Sequence, residues 1–166
     1  MPETAQHEIA RQIGIGAVKY QDLLPNRQSD YVFSWDKMLA LAGNTAPYVQ
    51  YQCARAAKVL RDSGTEISSG SGLNSVELSD ATELALARHL LNFGSTLEAV
   101  AAECRPNFLC NYLYELAGRF SRFYENCPVL KAEEPLRKSR LVLCELTRRT
   151  LVTGLDALGI ESPAVM

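Results

Sequence analysis

The chain has 166 residues, 47% of them hydrophobic, which is about one domain and enough to bury a core. Seventeen Lys and Arg against 19 Asp and Glu leave a formal charge of −2, so no global basic field draws it to nucleic acid or membrane, and any such binding must come from a local patch. No apolar run approaches the length of a bilayer span, and no basic-then-apolar leader opens the chain, so a cytoplasmic protein is expected.

Apolar residues recur at three and four positions almost throughout, which predicts an all-α helical bundle. A first helix is expected over Glu3 to Tyr20, with Gly14 and Gly16 marking a tight helix contact or a bend. After Leu24-Pro25-Asn26, Ser29 or Asp30 can cap a second helix running through Tyr31, Trp35, Met38 and Leu41. Gly43 to Ala46 form a short loop, and Pro47 stands at the start of a third helix reaching about Asp62. From Ser63 to Ser75 the composition turns to Gly, Ser, Thr and Asn, the pattern of a flexible connection. Asp80 with Glu83, and Ser95 with Glu98, have capping-box spacing and predict two helix starts. Pro106 opens a helix whose Leu109, Leu113, Leu116, Phe120 and Phe123 form one seam, expected at the centre. Cys127 to Glu134 read as a loop, and Pro135 begins a last helix reaching roughly Leu158, with apolar residues on more than one side (Leu143 and Leu146; Cys144, Leu151 and Leu155) and so covered by at least two neighbours.

Catalytic and metal-binding patterns are thin. The five cysteines are scattered and odd in number, which reads as reduced core thiols, and neither His7 nor His89 has a second ligand at a metal-site offset, so no metal is expected. Ser69-Gly70-Ser71-Gly72 lacks the strand, helix and lysine of a phosphate loop. Charge is polarised along the chain. Seven acidic residues face Arg88 alone between Asp62 and Glu103, whereas eight basic residues face four glutamates between Arg119 and Arg149. Arg137 with Arg148, and Lys138 with Arg149, are eleven apart and stack along one line of the last helix. Such a stripe is either a solvated face beside acidic neighbours or a phosphate contact. On the third helix Tyr48, Tyr51, Arg55 and Lys58 step by three, four and three, so two rings and two cations share a face. That face suits unpaired bases and phosphates, although tyrosines at this spacing also serve as half-buried packing residues with a wet hydroxyl.

Longer strings are more specific. Ile13-Gly14-Ile15-Gly16-Ala17-Val18-Lys19-Tyr20, Ser29-Asp30-Tyr31-Val32-Phe33-Ser34-Trp35-Asp36-Lys37-Met38-Leu39, Gly43-Asn44-Thr45-Ala46-Pro47-Tyr48-Val49-Gln50-Tyr51 and the terminal Leu158-Gly159-Ile160-Glu161-Ser162-Pro163-Ala164-Val165-Met166 resemble, in order and spacing, the C-terminal part of the arginyl-tRNA synthetases. The resemblance implies a class I synthetase piece, excised or truncated, in which residues 1–28 lead from an absent catalytic domain and residues 29–166 form the helical anticodon-binding domain with a flexible loop at 63–78. The implied parent uses ATP to join arginine to its tRNA. This sequence has neither a His-Ile-Gly-His-like nor a Lys-Met-Ser-Lys-Ser-like signature, so the piece is expected to bind without catalysing and to need no cofactor of its own. Its implied partners are arginine tRNA, through the anticodon loop, and the catalytic domain. By resemblance the loop from Gly43 to Pro47 meets the anticodon loop, Tyr51 contacts a displaced base and Met166 lies near; the face read from the spacing fits this, with Tyr48 and Tyr51 as stacking surfaces, Arg55 and Lys58 on phosphates, and Asn44 or Thr45 as polar edges for reading a base. Arg137, Arg140, Arg148 and Arg149 are further candidate phosphate contacts, with no family motif behind them. Gly159 stands where the domain's Asp-Ala-Leu-Arg signature has arginine. The alternative is a helical structural or interaction module with no RNA affinity in isolation.

Overall fold

In the computed structural model, residues 2–65, 67 and 76–166 are described, and they form a helical bundle. Its elements are α1 (Glu3–Leu23), α2 (Trp35–Met38), α3 (Ala46–Ser63), α4 (Ala81–Leu91), α5 (Phe93–Glu103), α6 (Pro106–Asn126) and α7 (Leu136–Ala157).

The seam of α6 is the centre, as its spacing predicts: Leu109, Leu113, Leu116, Phe120 and Phe123 are all buried. Against it lie Val49, Cys53 and Ala56 of α3 and Leu141, Cys144, Leu151 and Leu155 of α7. Helix α7 is covered by α3, α4 and α6, which accounts for its apolar residues on more than one side. Leu143 joins that core, whereas Leu146 faces solvent. Helix α1 adds Tyr20, whose hydroxyl donates to the Cys110 carbonyl of α6.

Of the two N-terminal glycines, only Gly16 is a close contact. A Cβ there would stand 2.9 Å from Gln50 Nε2 and 3.1 Å from Ile160 Cγ2, whereas one at Gly14 would meet nothing. Gln50 Nε2 donates to the Gln12 and Glu161 carbonyls, so one buried amide ties α1, α3 and the C-terminal tail together. Asp80 and Glu83 form the capping box at α4.

The structure corrects three expected elements. The second helix is a single turn, with residues 31–34 outside it and Ser34 extended, because the Ser34 hydroxyl accepts from the Lys37 amide and sets the start there. Ser95 does not cap a helix. Helix α5 starts at Phe93 directly after Asn92, so Ser95 lies inside it and its hydroxyl donates to the Asn92 carbonyl. Cys104 is not a core thiol but an exposed residue closing α5 in the left-handed conformation (φ 52°). The other four cysteines are buried, and burial pushes Cys53, Cys110 and Cys144 up to about 12.

Most of the expected flexible connection, including Ser69 to Gly72, lies outside the described residues. Its flanks are tied down: the Glu77 amide donates to Ser139 Oγ, and Arg137 donates to the Ser63 carbonyl. Among the described residues, no helix is long and apolar enough to cross a membrane, and no group of three or more His, Cys, Asp or Glu side chains could hold a metal ion.

Candidate nucleic-acid interface

Helix α3 begins where Gly43 (φ 84°) turns the chain and Thr45 caps it, accepting from the Tyr48 amide and donating to the Ala40 carbonyl. The cap sets the register that carries Tyr48, Tyr51, Arg55 and Lys58 toward the C-terminal half of α6. There a second stripe, Tyr114, Gly118, Ser121 and Glu125, faces them at four, three and four residue steps. The Tyr48 and Tyr114 rings meet edge to face at 5.7 Å. Gly118 leaves room for the Tyr48 hydroxyl, and Arg55 Nη1 donates to Ser121 Oγ at 3.3 Å.

At the edge of this contact the Arg55 guanidinium lies between two rings, 4.8 Å from the centroid of Tyr51 and 5.0 Å from that of Tyr124. It also donates to the Tyr51 hydroxyl at 3.1 Å. Tyr51 keeps 38% of its surface exposed and Tyr124 keeps 42%, values that leave π-surface for a visiting ring. Beside them a cleft of about 380 Å³ runs between α3 and the loop after α6, walled by Val59, Pro128, Val129 and Leu130 and rimmed by Arg55, Lys58 and Lys131 together with Asp62 and Glu125. Lys58 pairs with Asp62 at 3.1 Å, yet its side chain is mostly exposed. Tyr48 lies deeper: burial, and Tyr114 beside it, raise its phenol above the ordinary value.

Several candidate residues have other duties. Thr45 is 7% exposed and its hydroxyl is used twice for the helix cap, so it does not offer an edge to a base. Asn44 is half-buried; its side-chain amide bonds the Tyr20 hydroxyl at 2.6 Å and the Asn111 amide at 3.0 Å, which makes it the brace of the turn. Met166 ends an exposed tail. That tail runs along α3 from Gln50, bonded to the Glu161 carbonyl, to Arg61, bonded to the Ala164 carbonyl, toward the end of the helix away from the Asn44 turn.

The basic stripe of α7 is largely consumed by carboxylates. Arg140 is buried and donates from Nε to Glu83 Oε1 at 2.6 Å and from Nη1 to the Pro128 carbonyl at 2.9 Å, so it is a core ion pair and not a surface phosphate contact. Arg148 and Arg149 both grip Glu145, which sits three and four residues before them. Arg137 lies 3.5 Å from Glu134. In this line only Lys138, half-buried, has no side-chain partner among the described residues.

Sequence spacing missed Tyr114 and Tyr124. They flank the α6 seam instead of joining it; the four-three-four step was the signal available for Tyr114, whereas Tyr124 lies off that step.

An all-α bundle that presents exposed tyrosines and exposed cations beside an apolar cleft is the kind of surface that binds unpaired nucleotides. The chain belongs to the DALR anticodon binding domain family, whose model matches residues 49–166. It is 54% identical over 158 residues to an arginine–tRNA ligase of Synechocystis sp., covering 95% of this chain and 27% of that protein. Among solved structures it superposes on arginyl-tRNA synthetase of Thermus thermophilus with a TM-score of 0.88 at 35% identity, covering 100% of this chain and 28% of the other. The match to the Plasmodium falciparum enzyme has a TM-score of 0.81 at 30% identity, covering 96% and 28%. The chain thus spans about a quarter of the length of the curated relatives it matches.

Proposed function

We propose that this chain binds the anticodon loop of an arginine tRNA in the cytoplasm, as the anticodon-binding part of an arginine–tRNA ligase. One observation carries the reading: Tyr51, Arg55 and Tyr124 stack in the open at the mouth of an apolar cleft. Rings exposed in this way accept the unstacked bases of a loop with little regard to their identity, while Arg55, Lys58 and Lys131 meet the backbone between them. Tyr48 and Tyr114 hold the two helices at the spacing this requires, and Asn44 and Thr45 set the start of α3. Residues 1–28 serve as the link to a catalytic body that would activate arginine with ATP, and residues 29–166 as the tRNA-binding part. Catalysis is assigned to that body because this sequence has neither nucleotide-binding signature.

The test is an anisotropy titration with a labelled arginine anticodon hairpin and an unrelated hairpin. Preference for the arginine hairpin, weakening as salt rises, is expected. Tyr51→Ala should cost about 1 to 3 kcal/mol of binding if a base stacks there. Equal affinity for both hairpins, or a Tyr51→Ala chain that binds like the parent, refutes the reading.

A further inference from the structure

Removing the α7 stripe from the phosphate candidates leaves the question of which arginines are uncommitted. Arg88 of α4 and Arg122 of α6 are both exposed, and neither side chain has an ion pair or hydrogen bond among the described residues. Between them Arg119 has its Nε buried without an acceptor and only a loose 3.9 Å approach to Glu115. The three are contiguous. Arg119 and Arg122 share a depression of about 390 Å³ over Gly118, and Arg119 and Arg88 share one of about 260 Å³ beside His89. Gly118 is also where the Tyr48 hydroxyl comes to rest, so the strip starts at the edge of the tyrosine surface and leads away from it across α6 to α4.

Tyr114, half-buried at the near end of the strip, packs edge to face on Tyr48, and beyond it the strip has no exposed ring to offer a base. His89 stacks on Tyr112 at 4.5 Å and its Nε2–H donates to the Tyr112 carbonyl, and both residues are buried. Planar guanidinium forks without rings suit phosphate oxygens, and the outside of a duplex shows phosphates where a loop shows bases.

We infer that Arg88, Arg119 and Arg122 form a phosphate-binding strip for the backbone of the RNA stem next to the loop seated on Tyr51 and Tyr124. This deepens the proposed function and rests on it. Glu115, exposed at the border of the strip, trims its charge and leaves a net excess of cations facing the RNA.

The experiment uses the whole chain with three forms: unsubstituted, Arg88→Gln/Arg122→Gln, and Arg88→Lys/Arg122→Lys. Arg119 is left intact because its Nε is buried. Affinity is measured for the anticodon hairpin and for its loop as a single-stranded oligonucleotide, over a range of salt. The glutamine form should bind the hairpin several-fold more weakly, with a log K against log salt slope shallower by about 0.7 to 0.9 per arginine. The loop oligonucleotide should bind all three forms alike, and the lysine form should keep the steep slope. An unchanged slope in the glutamine form, with Tyr51→Ala still weakening the hairpin, overturns the strip and leaves the loop site standing. Equal losses for hairpin and loop oligonucleotide overturn the stem assignment. Failure of the unsubstituted chain to bind the hairpin overturns both.

Discussion

Glu83 has no exposed surface and still carries its charge, because every acceptor position it needs is filled. Oε1 takes Arg140 Nε, and Oε2 takes the Ser79 and Asp80 amides. Burial alone would raise its carboxyl. The Arg140 guanidinium and the two amides outweigh burial and hold it below its ordinary value of 4.5. A carboxyl depressed by folding adds stability that is complete above its unfolded value and disappears as pH falls through the folded one. Glu83→Gln should therefore cost about 3 kcal/mol near neutral pH, since it strands a buried guanidinium, and the loss relative to the parent should shrink in acid melts below 4.5. A constant difference across that range would contradict the assignment. Arg140 also holds the Pro128 carbonyl, so the same pair anchors the loop that walls the cleft.

At the scale of elements, helix α3 was legible because its information is local: a cap residue, a proline in the first turn and a three-four-three step of rings and cations. Tyr124 was not, because its role depends on which helix lies opposite, a fact of tertiary pairing with no trace in the spacing of α6 alone. Folding commits the α7 arginines to carboxylates at two different sequence distances. Glu145 and Glu134 sit within one turn of Arg148, Arg149 and Arg137 and were visible as partners, whereas Glu83 reaches Arg140 from 57 residues away. The second helix was overextended because the aromatic spacing at Tyr31 and Trp35 looked helical while Ser34 offered the better cap. The glycines of α1 provide a paired test of close packing. Gly16→Ala should destabilise the chain by about 1 to 3 kcal/mol by pushing on Gln50 and Ile160, while Gly14→Ala, with open space around it, should stabilise by roughly 0.5 to 1 kcal/mol. Equal effects in thermal melts would show that the α1, α3 and tail junction is not the tight contact the geometry requires.

For the whole molecule, a formal charge of −2 hides a divided surface. Counting along the chain assigned the basic side to the last helix, but folding pairs most of those arginines with carboxylates and carries Arg88, from the acidic stretch, across to Arg119 and Arg122. The surface suited to RNA is thus assembled from α3, α4, α6 and the loop after α6. The family match covers α4, α6, α7 and nearly all of α3. The rings at the cleft are the central claim. The most direct measurement is a nitrogen-15 correlation spectrum of the chain titrated with the arginine anticodon hairpin. The shifts are expected to concentrate at Tyr51, Arg55, Tyr124 and the Val129 to Lys131 loop. Shifts confined to the exposed face of α5, or none at all on saturation, would contradict it.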